Sequence, residues 1–189
     1  DQHRKHYIEY FLQLGNINEF LRLQPEYFDD LSPSNIIDRL QFLYRQTQKQ
    51  KIESDDKIQE LIEYASEHFE TIPKEEMKAL DIEIIELIIQ NERLKIEEED
   101  SLMKFVLELY SKDRKYGVLF EYILFNNVKE ETLEEFVNEF ELEDLNSKIW
   151  EVICKRLLSK TERIERIIRY LNPNEIITKE HKEGDEFNG

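Results

Sequence analysis

The stretch from Leu80 to Phe125, LDIEIIELIIQNERLKIEEEDSLMKFVLELYSKDRKYGVLFEYILF, is the most apolar and most strictly periodic part of this chain, and it limits the rest to elements that can pack against it. Leu102, Phe105, Val106, Leu109 and Tyr110 recur at i, i+3, i+4, i+7 and i+8, one face of a helix. Upstream, Ile82, Ile84, Ile85, Leu87, Ile88 and Ile89 are too many for a one-sided amphipathic helix. They predict a central helix covered on most of its circumference, with Asp81 as N-cap and Asn91 where a left-handed C-terminal residue is tolerated. A buried strand is the alternative, since Ile is β-branched and the run is short. Leu94, Lys95 and Ile96 read as an extended link whose two apolar side chains point the same way.

Glu97, Glu98, Glu99 and Asp100 follow, where carboxylates favour the positive end of a helix dipole. Lys112, Arg114 and Lys115 close that helix, and Gly117 frees the chain to turn. A third helix then carries Tyr116, Leu119, Phe120, Ile123 and Leu124 and stops near Asn126 and Asn127.

The flanking segments repeat the helical period. Tyr7, Tyr10, Phe11 and Leu14 share a face, with Ile17, Phe20 and Leu21 on a shorter one. Ser32-Pro33 is a helix start, because the hydroxyl can cap and the missing proline amide costs nothing in the first turn. Ile36, Ile37, Leu40, Leu43 and Tyr44 face one way, as do Ile58, Leu61, Ile62, Ala65 and Phe69. Leu133, Phe136, Val137 and Phe140 form one side of an acidic helix. On the next, Ile149, Trp150, Val152, Ile153, Cys154, Leu157 and Leu158 make a face so broad that Trp150 is expected to be buried. A last helix carries Ile164, Ile167, Ile168 and Leu171, and residues 172–189 are expected to form a flexible tail.

Four glycines and four prolines in 189 residues are too few for a chain of hairpin turns. The expectation is one all-α domain, or one and a fraction, of stacked antiparallel helical hairpins, about nine helices in all. One cysteine, Cys154, excludes an internal disulfide framework and fits a reducing, cytoplasmic setting. Its apolar neighbours predict a buried small hydrophobe. No apolar run is long enough to span a bilayer. The net charge of −17 comes from the middle of the chain, so nucleic acid and anionic membrane are disfavoured partners, and the bland reading is solvated helix faces.

Chemistry is sparse. His3 and His6 lack the spacing of a zinc helix, and the Glu97 to Asp100 run lacks the alternating ligands and turn glycine of a calcium loop. The isolated glycines make no phosphate loop. The residues therefore predict no catalytic, cofactor-binding or metal site and no enzyme.

ASEHF, the Leu80 to Asp113 run and LFEYILFNNV together resemble the BACK domain, the helical segment that follows the BTB domain in BTB-kelch and related proteins. Ala65, Phe69, Leu80, Ile84, Leu87, Ile88, Leu94, Ile96, Glu99, Leu102, Val106, Asp113, Leu119 and Ile123 stand where that pattern wants them. The likeness covers roughly residues 54–130 and is best from Leu94 to Leu109. Two departures are Leu109-Tyr110, where many members carry Trp, and Ile123-Leu124, in place of the usual Val-Arg step. YIEYFLQLGNINEFLRL is similar to the closing helices of a BTB domain, which makes 1–23 that end, 24–171 the BACK-like domain and 172–189 the tail.

The resemblance implies a non-enzymatic spacer in a BTB substrate adaptor for a cullin ubiquitin ligase. It also implies a homodimer through an upstream BTB domain, this segment alone being monomeric. The cullin contact would fall on residues 26–48, with Phe28, Ile37, Leu40 and Tyr44 as its apolar rim, and charge reversal at Glu97, Glu98 and Asp100 should leave it intact. The rival is a helical scaffold that binds a basic peptide through the acidic middle.

Overall fold

The computed structural model describes residues 16–24, 30–50 and 55–158, with Tyr7, Tyr10, Phe11 and Leu14 before them. Among the described residues the chain is all-α and has no strand. The α-helices are α1 (Ile17–Leu23), α2 (Ile36–Gln50), α3 (Asp55–Glu67), α4 (Lys74–Met77), α5 (Ile82–Gln90), α6 (Glu99–Lys112), α7 (Glu130–Glu139) and α8 (Ser147–Leu158). Three 3-10 segments, Arg114–Tyr122, Phe125–Asn127 and Leu142–Asp144, link α6 to α8. Helix α2 packs on α3 and α3 on α5; α6 packs on the long 3-10 helix and on α7, and α8 on the first two 3-10 segments.

The central helix is α6, not the isoleucine-rich α5. Nine residues of α6 are buried, from Glu99 and Asp100 through Leu102, Met103, Phe105, Val106, Leu107, Leu109 and Tyr110. Helix α5 buries Ile84, Ile85, Ile88 and Ile89, while Glu83, Leu87 and Gln90, at i, i+4 and i+7, form an open stripe. Its isoleucines are crowded onto one side, and α3 and the long 3-10 helix cover only that side. The buried-strand alternative falls with the same observation.

Local chemistry sets the boundaries. Helix α2 starts at Ile36, a turn later than Ser32-Pro33 suggests: Asn35 Oδ1 accepts the Ser32 amide at 3.0 Å, and the Ser32 carbonyl accepts the Ile36 amide at 3.1 Å. Asn91 is extended (φ −63°, ψ 136°), not left-handed. The end of α5 is satisfied from outside, where the buried Ser66 hydroxyl donates to the Ile88 carbonyl at 3.0 Å. The Ser66 carbonyl in turn accepts the Lys95 amide at 3.0 Å, fixing the link so that Leu94 and Ile96 both enter the core.

Where a third α-helix is expected, Arg114–Tyr122 is 3-10. In that geometry side chains three apart eclipse, so Gly117, Phe120 and Ile123, all buried, form one straight row. Gly117 turns nothing; it lets the helix approach Tyr110, whose ring would lie 3.2 Å from an added Cβ.

Candidate functional site

Of the residues expected to rim a partner groove, Ile37 and Leu40 lie in the core. Leu40 is fully buried and Ile37 is 3% exposed, because the apolar face of α2 is closed by α3. Tyr44 is half-buried against the same core, and Phe28 lies outside the described residues. What α2 turns to solvent is polar: Asp38 and Arg45 are exposed, and Gln41 between them donates to the Ala79 carbonyl at 3.1 Å.

The acidic run at the start of α6 is two pairs with opposite fates. Glu97 and Glu98 are exposed, and Glu98 pairs with Lys129. Glu99 and Asp100 are 1% and 3% exposed. Glu99 Oε1 accepts the Leu124 amide at 2.7 Å, and Asp100 Oδ1 accepts the Lys129 amide at 3.1 Å. These carboxylates sit in the first turn of α6, where the helix dipole favours them, and hold the strands of backbone entering and leaving Phe125–Asn127. The expectation that charge reversal at Asp100 is harmless is therefore corrected, since it would place a cation in a buried acceptor's position.

Three further polar clusters join elements. Glu70 accepts the Ser101 hydroxyl at 2.7 Å and the Glu97 amide at 3.2 Å and pairs with Lys74 at 3.1 Å. Partial burial pushes its carboxyl up, but the Lys74 ammonium and these donors outweigh burial and hold it below the usual carboxylate range. Tyr110 donates to Asp144 Oδ2 at 2.5 Å, Arg114 Nε donates to the same oxygen at 2.7 Å, and the Glu141 amide donates to the Tyr110 oxygen at 3.1 Å. The Tyr110 hydroxyl and the Arg114 guanidinium lower Asp144; burial and Asp144 raise Tyr110. Tyr122 donates to Glu86 Oε1 at 2.7 Å, and burial with that carboxylate raises its pKa strongly. Each cluster bridges neighbouring segments, so its perturbed groups are explained by the packing they hold.

No group of three His, Cys, Asp or Glu side chains among the described residues is placed to hold a metal ion. His3 and His6 lie outside them, and His68 stacks on Tyr64 with its Nδ1 2.9 Å from the Tyr64 carbonyl. No helix among them is long and apolar enough to cross a membrane.

Two surfaces remain as candidates for recognition. On α7, Glu130, Glu131, Glu134, Glu135 and Glu139 are exposed around Val137, itself 72% exposed, and a shallow groove runs over Glu130, Leu133, Glu134, Val137 and Asn138. On α8, Trp150 is 52% exposed instead of buried, and Cys154 is half-buried. Only Ile149 of that broad apolar face is fully enclosed, because the 3-10 segments cover one side of the helix. No family model, curated protein or solved structure matches the chain.

Proposed function

We propose that this chain is a non-enzymatic helical spacer and interaction module of the BACK type, from a BTB substrate adaptor of a cullin ubiquitin ligase. The observation that carries the reading is Glu99. It is the acidic position that closes the Leu94 to Ile96 link in the resemblance, and it is buried, with its side-chain oxygen accepting the Leu124 amide. Burial of apolar pattern residues is expected of any helical core, but a buried glutamate at that register is a specific feature. Twelve of the fourteen positions that carry the resemblance are buried; Leu87 and Asp113 are exposed, and Asp113 instead accepts the Lys115 amide at the start of the long 3-10 helix.

The partner surface in this reading is the polar stripe Asp38, Gln41 and Arg45 of α2. A second reading, a scaffold for a basic peptide, is favoured by the exposed carboxylates around Val137 on α7. One experiment separates them: capture of a cullin scaffold by the intact protein, with whatever sequence precedes Asp1 included. Asp38→Lys with Arg45→Glu should weaken capture at least tenfold, and Glu130→Lys with Glu134→Lys should leave it unchanged, thermal melts showing both variants folded. Failure of the wild type to retain any cullin would overturn the first reading. Loss of a basic peptide only in the α7 variant, with steep salt dependence, would establish the second, because exposed charges are screened within about 10 Å at 0.1 M salt.

A further inference from the structure

One face of α7 joins an apolar strip to an acidic border. Glu130, Leu133, Glu134, Val137 and Asn138, which line the shallow groove, stand at i, i+3, i+4, i+7 and i+8 along the helix. Phe136 is buried and anchors the helix, Leu133 leans on the core, and Val137 is 72% exposed. The charges on this helix work against it. Glu130 and Glu134 lie four apart as like charges, as do Glu131 with Glu135 and Glu135 with Glu139. Glu139 also falls in a last turn that holds no basic residue, where the helix dipole disfavours a carboxylate. From Glu130 to Ser147 the sequence has no Lys, Arg or His, and Lys129, next to Glu130, pairs with Glu98. A cation brought from outside would relieve each of these contacts.

We propose that this face binds one amphipathic, basic α-helix of another protein. Two aliphatic side chains of the ligand, four residues apart, seat on Leu133 and Val137, and two Lys or Arg side chains, also four apart, lie over Glu130 and Glu134. This rests on the second reading above and deepens it, by fixing the conformation and the residue spacing of the ligand.

Three arguments favour this occupant. Four residues of any α-helix rise about 6 Å, so pairs four apart on the ligand match pairs four apart on α7. The backbone of α7 is bonded within its own helix and offers an extended peptide no edge to pair with, whereas a helical ligand satisfies its own amides and carbonyls. The charge then decides which helix. A second copy of this chain would bring another net −17 against the same carboxylates, and a neutral apolar helix would cover Glu130 and Glu134 without a counter-charge.

The test uses the full chain and two labelled synthetic peptides of one composition, Lys, Leu and Ala, read by fluorescence anisotropy at about 0.15 M salt. One peptide places Leu four apart with Lys four apart beside them; the other holds the same residues in an order that spreads Leu around the helix. The first should bind at least tenfold tighter. Val137→Ser and, separately, Glu130→Gln with Glu134→Gln should each weaken it at least fivefold, while Glu131→Gln with Glu135→Gln, outside the groove, should change it less than twofold. All five positions are exposed, and thermal melts check that each variant is folded. Equal binding of the two peptides, or equal losses in the two glutamine pairs, would overturn the proposal and leave the basic-peptide scaffold standing, since the attraction would be one of charge alone. Binding of neither peptide would overturn both. Affinity that falls as the protein concentration is raised would overturn the proposal by giving the face to a second copy.

Discussion

Glu99 combines two facts that rarely coincide on a surface-forming acidic chain: its side chain is ionisable, and it is enclosed. Its Oε1 is what the Leu124 amide bonds to as the chain leaves the long 3-10 helix. Glu99→Ala would leave that donor without its acceptor and should destabilise the domain by about 1–3 kcal/mol. Glu99→Gln keeps an acceptor oxygen in place and should recover most of the loss. Urea unfolding of both variants checks this, and equal losses would assign the effect to charge and not to the hydrogen bond.

Glu70 tests the same principle through pH. Its carboxyl lies below the ordinary 4.5 in the folded state. A depressed folded pKa means that its contribution is complete above the unfolded value, about 4.3, and is lost as pH falls through the folded one. Glu70→Gln should therefore lower the melting temperature at pH 7, and the gap to wild type should narrow steadily below about pH 4.5. A gap that stays constant down to pH 3 would contradict the ion pair with Lys74.

These residues also show what could be read from sequence. The face Leu102, Phe105, Val106, Leu109 and Tyr110 was legible, because period alone identifies it, and all five are buried. Burial of Glu99 and Asp100 was not, since a carboxylate in a first helical turn looks the same whether the turn faces water or another segment's amides.

At the scale of elements, the isoleucines of α5 suggested a central helix, and the more mixed sequence of α6 turned out to occupy the centre. Composition reports how apolar a helix is; its neighbours decide how many sides are covered. The same gap explains Trp150, whose broad apolar face is real but only half enclosed by the 3-10 segments. The tie between α4 and α6 is similarly invisible in the sequence: Lys78 pairs with Glu75 on its own turn and with Glu108 thirty residues on. Glu108→Ala removes only the long-range partner. Because Glu108 is largely exposed, the cost should be under about 1 kcal/mol, measurable as a small shift in the urea midpoint. A loss of several kcal/mol would mean that this pair anchors α4.

At the scale of the molecule, the polar clusters share a topology, apart from Tyr122–Glu86, which joins the long 3-10 helix to α5. Glu99, Asp100, Glu70 by way of Ser101, and Tyr110 all join α6, or its first turn, to a different segment. The central claim is that the domain is one cooperative body hung on α6. Native-state hydrogen exchange tests it most directly, in the wild type and in Glu99→Ala. The account predicts that α6 amides exchange last, through global unfolding, and that Glu99→Ala speeds α6, Phe125–Asn127 and α7 together by a common factor. Amides of α2 or α3 outlasting those of α6, or α7 exchanging at an unchanged rate in the variant, would contradict it.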